Sequence, residues 1–147
     1  MQISLLNLMD ENACYEVLRQ LRWADGVQCP HCEARQSVKD GMDETHSHRQ
    51  RYRCQSCQKR FDDLTDTVFS GSHQPLKTWI VCLYLMGLNL SNAQIAKELE
   101  VSEPTAQQMT RLLREGIVKK SLVYSLQEWL RPTRSTWFAG TRGSPKK

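Results

Sequence analysis

The sequence predicts a small α+β protein, a ribbon of short antiparallel strands followed by an all-α module. Three observations carry this. Two Cys-x-x-Cys turns, Cys29-Pro30-His31-Cys32 and Cys54-Gln55-Ser56-Cys57, stand 21 residues apart, with the strand-like run Gln50-Arg51-Tyr52-Arg53 between them. Helical apolar spacing occupies 11–24 and returns as three helices over 72–118. Serines placed as helix caps, Ser91 and Ser102, open the last two of those helices. The expected organisation is an N-terminal helix in 1–25, the ribbon in 26–70, the helical module in 72–118 and a tail in 121–147.

The 147 residues leave room for one ordinary domain or two small ones, and 39% apolar with 24% charged residues is a globular balance. No apolar run approaches the roughly 20 residues that span a bilayer. Met1 to Asp10 lacks the basic flank and cleavage site of an export signal. The expected setting is therefore the cytoplasm, where six cysteines stay reduced and serve as metal ligands or buried side chains. The net charge of +4 is not evenly spread: from Gly116 onward there are seven basic residues and one acid, leaving 13 basic and 15 acidic groups before it. A local run matters more. Between Thr45 and Phe61 stand Arg49, Arg51, Arg53, Lys59 and Arg60 with no acid, either a solvated face or a surface for polyanions.

Each Cys-x-x-Cys turn can aim two thiolates at one point. Two turns supply the four ligands of tetrahedral zinc, so Cys29, Cys32, Cys54 and Cys57 are expected to hold one structural ion. The segment is too small and polar to build a core alone, and metal binding would supply on the order of 10 kcal/mol of folding free energy. The competing redox reading needs a single Cys-x-x-Cys in a βαβ setting, which the pattern lacks. His31, His46 and His48 are read as surface residues. Cys14 and Cys82 fall at apolar helical positions and are read as buried.

In the helical module, Pro75 opens a helix with Leu76, Trp79, Ile80, Leu83 and Tyr84 on its inward face, ending near Gly87. Ser91-Asn92-Ala93-Gln94 has the form of a capping box and starts a helix burying Ile95, Ala96 and Leu99. A tight turn at Glu100-Val101 leads to a third helix capped by Ser102. A left-handed Glu100 would cost roughly 1 kcal/mol where glycine is usual. Thr105, Ala106, Met109, Leu112, Leu113 and Ile117 line one side of the third helix; Gln107, Gln108, Arg111 and Arg114 line the other. Glutamine can pair with adenine edges and arginine with guanine, so this is the pattern of a helix-turn-helix reading a major groove. A plain helical hairpin with a wet polar face is the alternative. Arg51, Arg53, Lys59 and Arg60 are the expected phosphate contacts.

The order Trp23…Gly26, Cys29-Pro30-His31-Cys32, Tyr52-Arg53-Cys54-Gln55-Ser56-Cys57, Arg60-Phe61, Leu64-Thr65-Asp66-Thr67-Val68-Phe69, Leu76-Lys77-Thr78-Trp79 resembles the ISXO-like insertion-sequence transposases. Gln94-Ile95-Ala96-Lys97-Glu98-Leu99 and Thr105-Ala106…Met109…Leu113-Arg114-Glu115 continue the likeness, which covers about residues 10–120. The resemblance implies a zinc ribbon and helix-turn-helix that grip double-stranded DNA at transposon ends, near the nucleoid. It also implies a following RNase-H-like domain whose carboxylates hold divalent metal. That family continues with an acidic motif. This chain has Trp129-Leu130-Arg131-Pro132-Thr133-Arg134-Ser135-Thr136-Trp137 instead.

Read two bases later from within the Trp129 codon, the degenerate codons of the tail permit Val-Glu-Ala-Asp-Glu, which matches the expected motif. The expectation is thus a frameshifted, non-native or disordered tail over 121–147 and a truncated transposase that is not an enzyme. It would occupy terminal repeats, alone, as a homo-oligomer or beside full-length transposase. A zinc-ribbon transcription regulator, and the short product of programmed frameshifting, are the alternatives.

Overall fold

The computed structural model describes residues 5–119 and 121–131. Its elements run α1 (Leu5–Leu8), α2 (Glu11–Arg22), β1 (Ser37–Met42), β2 (Gln50–Cys54), β3 (Arg60–Asp62), α3 (Leu76–Gly87), α4 (Asn92–Leu99), α5 (Glu103–Val118) and α6 (Leu122–Leu130). This is the small α+β architecture expected, strands first and helices after, with helices also leading in.

The N-terminal stretch is two helices rather than one. Asp10 leaves the helical region (φ −105°, ψ 121°) to start α2, and its carbonyl accepts from the Cys14 N–H at 3.1 Å. An N-cap must be extended to do this, so the chain breaks there.

The three strands form one antiparallel sheet in the order β1-β2-β3. Lys39 pairs with Tyr52, and Tyr52 in turn with Phe61. Alternation along β2 turns Tyr52 and Cys54 inward and leaves Arg51 and Arg53 on the opposite face. Tyr52 and Phe61 stack at 5.3 Å, with Trp23 edge-on to both at about 6 Å. These rings, Cys29 and Cys54 are the core of the ribbon.

A larger core joins α2 through α6, with Leu64 and Phe69 from the segment leaving the ribbon. At its centre lies α3, in which Leu76, Trp79, Ile80, Val81, Cys82, Leu83 and Leu85 are all buried. Tyr84, expected inward, is 38% exposed. On a helix apolar nearly all round, periodicity cannot say which side is left uncovered.

One helix serves both cores. Cys14, Tyr15 and Leu18 of α2 are buried in the helical core, while Trp23 at its end belongs to the ribbon. The α2 residue Glu11 also accepts from the N–H groups of Leu76 and Lys77, both at 2.9 Å. It thereby caps α3, whose own N-cap, Pro75, offers no side-chain acceptor.

The expectation of a disordered tail fails for Leu122–Leu130, which form α6. Ser121 caps it, accepting from Val123 N–H at 3.3 Å, and donates to the Gly116 carbonyl at 2.9 Å. Val123 and Leu126 are 1% and 0% exposed in the helical core. Gly116 permits the approach, since a Cβ there would lie 2.7 Å from Val123. Leu122, Leu126 and Leu130 have the spacing of a helix face, and α5 offers that face a surface to bury against. The remaining tail, including Pro132, Trp137 and Phe138, lies outside the described residues.

Candidate metal centre and nucleic-acid interface

Each cysteine pair is shaped by the same local bonds. The Cys29 N–H donates to the Ala34 carbonyl at 2.9 Å and the Glu33 N–H returns to the Cys29 carbonyl at 2.8 Å. In the second turn Cys54 N–H reaches Lys59 at 3.0 Å and Gln58 N–H returns to Cys54 at 2.9 Å. Closing such a turn needs a left-handed residue after the second cysteine. Glu33 (φ 66°) and Gln58 (φ 65°) fill those places. Amides then point at sulfur: His31 N–H at 3.3 Å from Cys29 Sγ, and Ser56 N–H at 3.3 Å from Cys54 Sγ.

The sheet carries the two turns to one point. All four sulfurs lie within 4.8 Å of one another, with Cys29–Cys57 at 3.8 Å and Cys32–Cys54 at 3.6 Å. At Zn–S distances of about 2.3 Å, the sulfurs of a tetrahedron stand about 3.8 Å apart. The donor set therefore fits a structural, four-coordinate soft metal such as zinc. The Cys54 thiol is pulled down to about 6 by the N–H of Cys57, against the effect of burial, with Ser56 N–H helping. Its neighbour Cys32 keeps its proton, pushed up to about 12. The Ala34 N–H lowers it, but desolvation and the three other sulfurs outweigh that. A divalent ion would remove this competition by taking all four as thiolates. Among the described residues, His31, His46 and His48 stay outside the cluster.

What fixes the ribbon to α2 was not foreseen. Asp63, with no exposure, accepts from Arg19 Nη1 at 2.8 Å, Gln50 N–H at 2.9 Å, the Tyr52 hydroxyl at 3.2 Å and Trp23 Nε1 at 3.4 Å. Burial, then the Asp63 carboxylate, raises the Tyr52 pKa and keeps that phenol a donor. Arg22 spends its guanidinium on the carbonyls of Asp62, Asp63 and Thr65 and lies 4.4 Å over the Trp23 ring. In the sequence Asp62-Asp63 looks like surface charge. An acidic pair set between Phe61 and Leu64 is the available signal.

In the helical part, α4 begins with the expected reciprocal pair. Gln94 N–H donates to Ser91 Oγ at 3.2 Å, and Ser91 N–H to the Gln94 amide at 2.9 Å. Glu100 does adopt the left-handed conformation (φ 61°, ψ 41°). Ser102 caps α5, accepting from Thr105 N–H at 3.3 Å. Ala106, Met109, Thr110, Leu113 and Gly116 form the buried face of α5, and Thr110 Oγ1 donates to Asn92 of α4 at 3.1 Å. Gln107, Gln108, Arg111 and Arg114 are exposed on the opposite face. Arg111 leans on Glu115 at 3.5 Å.

The basic run of the ribbon is less uniform than its sequence implies. Arg53 and Arg60 are cross-strand partners. Arg60 pairs with Asp40 at 3.1 Å. Lys59 is exposed, and Arg51 and Arg53 are half-buried along β2. The structure thus gathers the four cysteines into one centre. It places the eight expected DNA contacts on two separate elements, a sheet face with its knuckle and the outer face of α5.

Parts of the chain are similar to known proteins. The transposase zinc-ribbon domain family, of the IS1595 group, matches residues 9–60. An uncharacterized protein in transposable element ISH50 of Halobacterium salinarum is 36% identical over 110 residues, covering 72% of this chain and 36% of that relative. The chain thus spans about a third of the length of the curated relative it matches. No solved structure matches. With the four sulfurs at metal-binding separation and both likenesses pointing the same way, the chain is an insertion-sequence transposase-like protein, with the zinc-ribbon match covering residues 9–60.

Proposed function

We propose that this chain binds double-stranded DNA at the ends of an insertion sequence, with α4 and α5 acting as a helix-turn-helix and the ribbon holding the backbone. The observation that carries this reading is α5. It is buried along one side against α3 and α4, and on the other it presents Gln107, Gln108, Arg111 and Arg114 to solvent behind a tight turn. Such a helix can enter a major groove with four side chains able to reach base edges. The Arg111–Glu115 pair joins two exposed side chains and is worth little, so Arg111 can leave it for guanine. Arg51, Arg53, Lys59 and Arg60 hold phosphate. Zinc, when bound, supplies no chemistry beyond fixing the ribbon.

These residues carry no strand-transfer centre of their own in this reading. Two-metal phosphoryl transfer needs several carboxylates converging on ions about 4 Å apart. Among the described residues the four cysteines are the one cluster of potential ligands. The chain then occupies terminal repeats in competition with full-length transposase.

The test is binding to a labelled duplex carrying the element's terminal inverted repeat, against a scrambled duplex, at several salt concentrations. Arg111→Ala should cost about 1–3 kcal/mol on the repeat alone. Lys59→Ala should weaken both duplexes alike and lower the salt slope by about one. Equal affinity for both duplexes, or an unaffected Arg111→Ala, would overturn the reading. Strand transfer by the nuclease-free protein with magnesium or manganese would overturn its non-catalytic part.

A further inference from the structure

Away from both the ribbon and the exposed face of α5, the outer sides of α1, α3 and α6 leave an apolar strip open. Leu8 is 70% exposed, Trp129 44%, Tyr84 38% and Leu88 53%. Three shallow grooves run through them and share walls. Leu8, Met9 and Trp129 line the first, Met9, Tyr84 and Leu130 the second, and Tyr84, Leu88 and Leu130 the third. The strip is therefore continuous. Its two ends carry opposite charge, Asp10 at the Leu8 end and Arg131 at the Leu88 end.

We infer that this strip is the contact through which two copies of the chain pair about a two-fold axis. Area supports the size of the interface. With full-exposure areas of roughly 150–250 Å² per large side chain, the four exposed residues uncover about 400 Å². That is about half of the ~800 Å² per partner of a standard interface, and such interfaces are a little over half apolar. Charge supports a second copy as occupant. A two-fold contact is self-complementary, so laying the strip antiparallel on itself places Asp10 of one copy by Arg131 of the other, twice. A strip with one charge sign at both ends would repel itself in that arrangement. Among the described residues the Arg131 guanidinium pairs with the exposed Glu128, at 3.2 Å, a pair too weak to withhold it.

The test is sedimentation of the zinc-loaded 147-residue protein without DNA, from about 1 to 100 μM, so that failure here is independent of any result on DNA. A concentration-dependent dimer is expected. Leu88→Glu and Tyr84→Glu alter exposed positions, and each should weaken it at least ten-fold while leaving the melting temperature in place. Asp10→Arg alone and Arg131→Asp alone should each weaken the dimer, and the two together should restore it. A monomer throughout the range would overturn the inference. So would a dimer indifferent to Leu88→Glu and Tyr84→Glu, or reversed charges that fail to rescue each other.

Discussion

Replacing Asp63 by alanine removes the acceptor of four donors from a site with no exposure: Arg19, Gln50, Tyr52 and Trp23. The Arg19 guanidinium, 25% exposed, would keep the His48 carbonyl at 3.1 Å but lose its counter-charge. Gln50 N–H and the Tyr52 hydroxyl would each face the space left by the carboxylate oxygen they now donate to. Breaking one side of a buried pair costs about 3–5 kcal/mol, and each orphaned buried donor about 1–3. These overlap, since water enters the space, so about 4 kcal/mol is expected. For a chain of this size 1 kcal/mol moves the melting point by about 2–4 °C. The zinc-saturated Asp63→Ala protein should therefore melt roughly 8–16 °C lower by far-ultraviolet circular dichroism. Combining Asp63→Leu with Arg19→Met removes both charges and should recover part of the loss, because the cost lies in the uncompensated partner. A drop under about 2 °C for Asp63→Ala would refute the assignment of this carboxylate as the junction between α2 and the ribbon.

Burial pushes the Cys14 thiol up to about 11, with Glu11 adding to it, and the Cys82 thiol up to about 12. Both raised groups stay protonated below those values, so at pH 8 neither offers the thiolate that iodoacetamide attacks. Mass spectrometry should show Cys29, Cys32, Cys54 and Cys57 alkylated after chelation of one zinc per chain, and Cys14 and Cys82 only after denaturation. Gly116→Ala should destabilise the protein by about 1–3 kcal/mol through overpacking against Val123, read as a lower urea midpoint. Glu100→Gly should raise stability by up to about 1 kcal/mol in the same assay by relieving the left-handed residue.

Much of this molecule is written locally. The cysteine spacing, the Ser91 and Gln94 cap, and the strain at Glu100 all depend on residues within a turn of one another, so the sequence exposes them directly. The bonds that join modules do not have that property. Glu11 caps a helix 65 residues away, and Asp63 receives Arg19 across 44. Neither has a periodic partner in the sequence, and both look like ordinary surface acids. The exposure of Tyr84 and the burial of α6 are not local either. Which side of α3 is covered, and whether Leu122, Val123 and Leu126 find a surface, is decided by what packs on them. The outer face of α5 was legible because its polar residues recur at helical spacing.

The family match starts at residue 9, well before the first cysteine, and the structure supplies a physical reason. The ribbon buries four residues of its own, Cys29, Tyr52, Cys54 and Phe61, and the ring that completes the stack is Trp23, at the end of α2. Arg19 and Arg22 then occupy the carboxylate and carbonyls at the edge of the sheet. A ribbon cut at Val27 would lose that ring and leave Asp63 buried without its cation, a larger loss than so small a core can absorb. Since the other face of α2 buries Tyr15 and Leu18 among the helices, and Glu11 caps α3, α2 cannot move with one module alone. A metal that binds only the folded ribbon stabilises everything that must be ordered with it. A metal held by the four cysteines would therefore also steady the packing of α3, and through α3 the placement of α5, whose exposed side chains depend on that rigid backing.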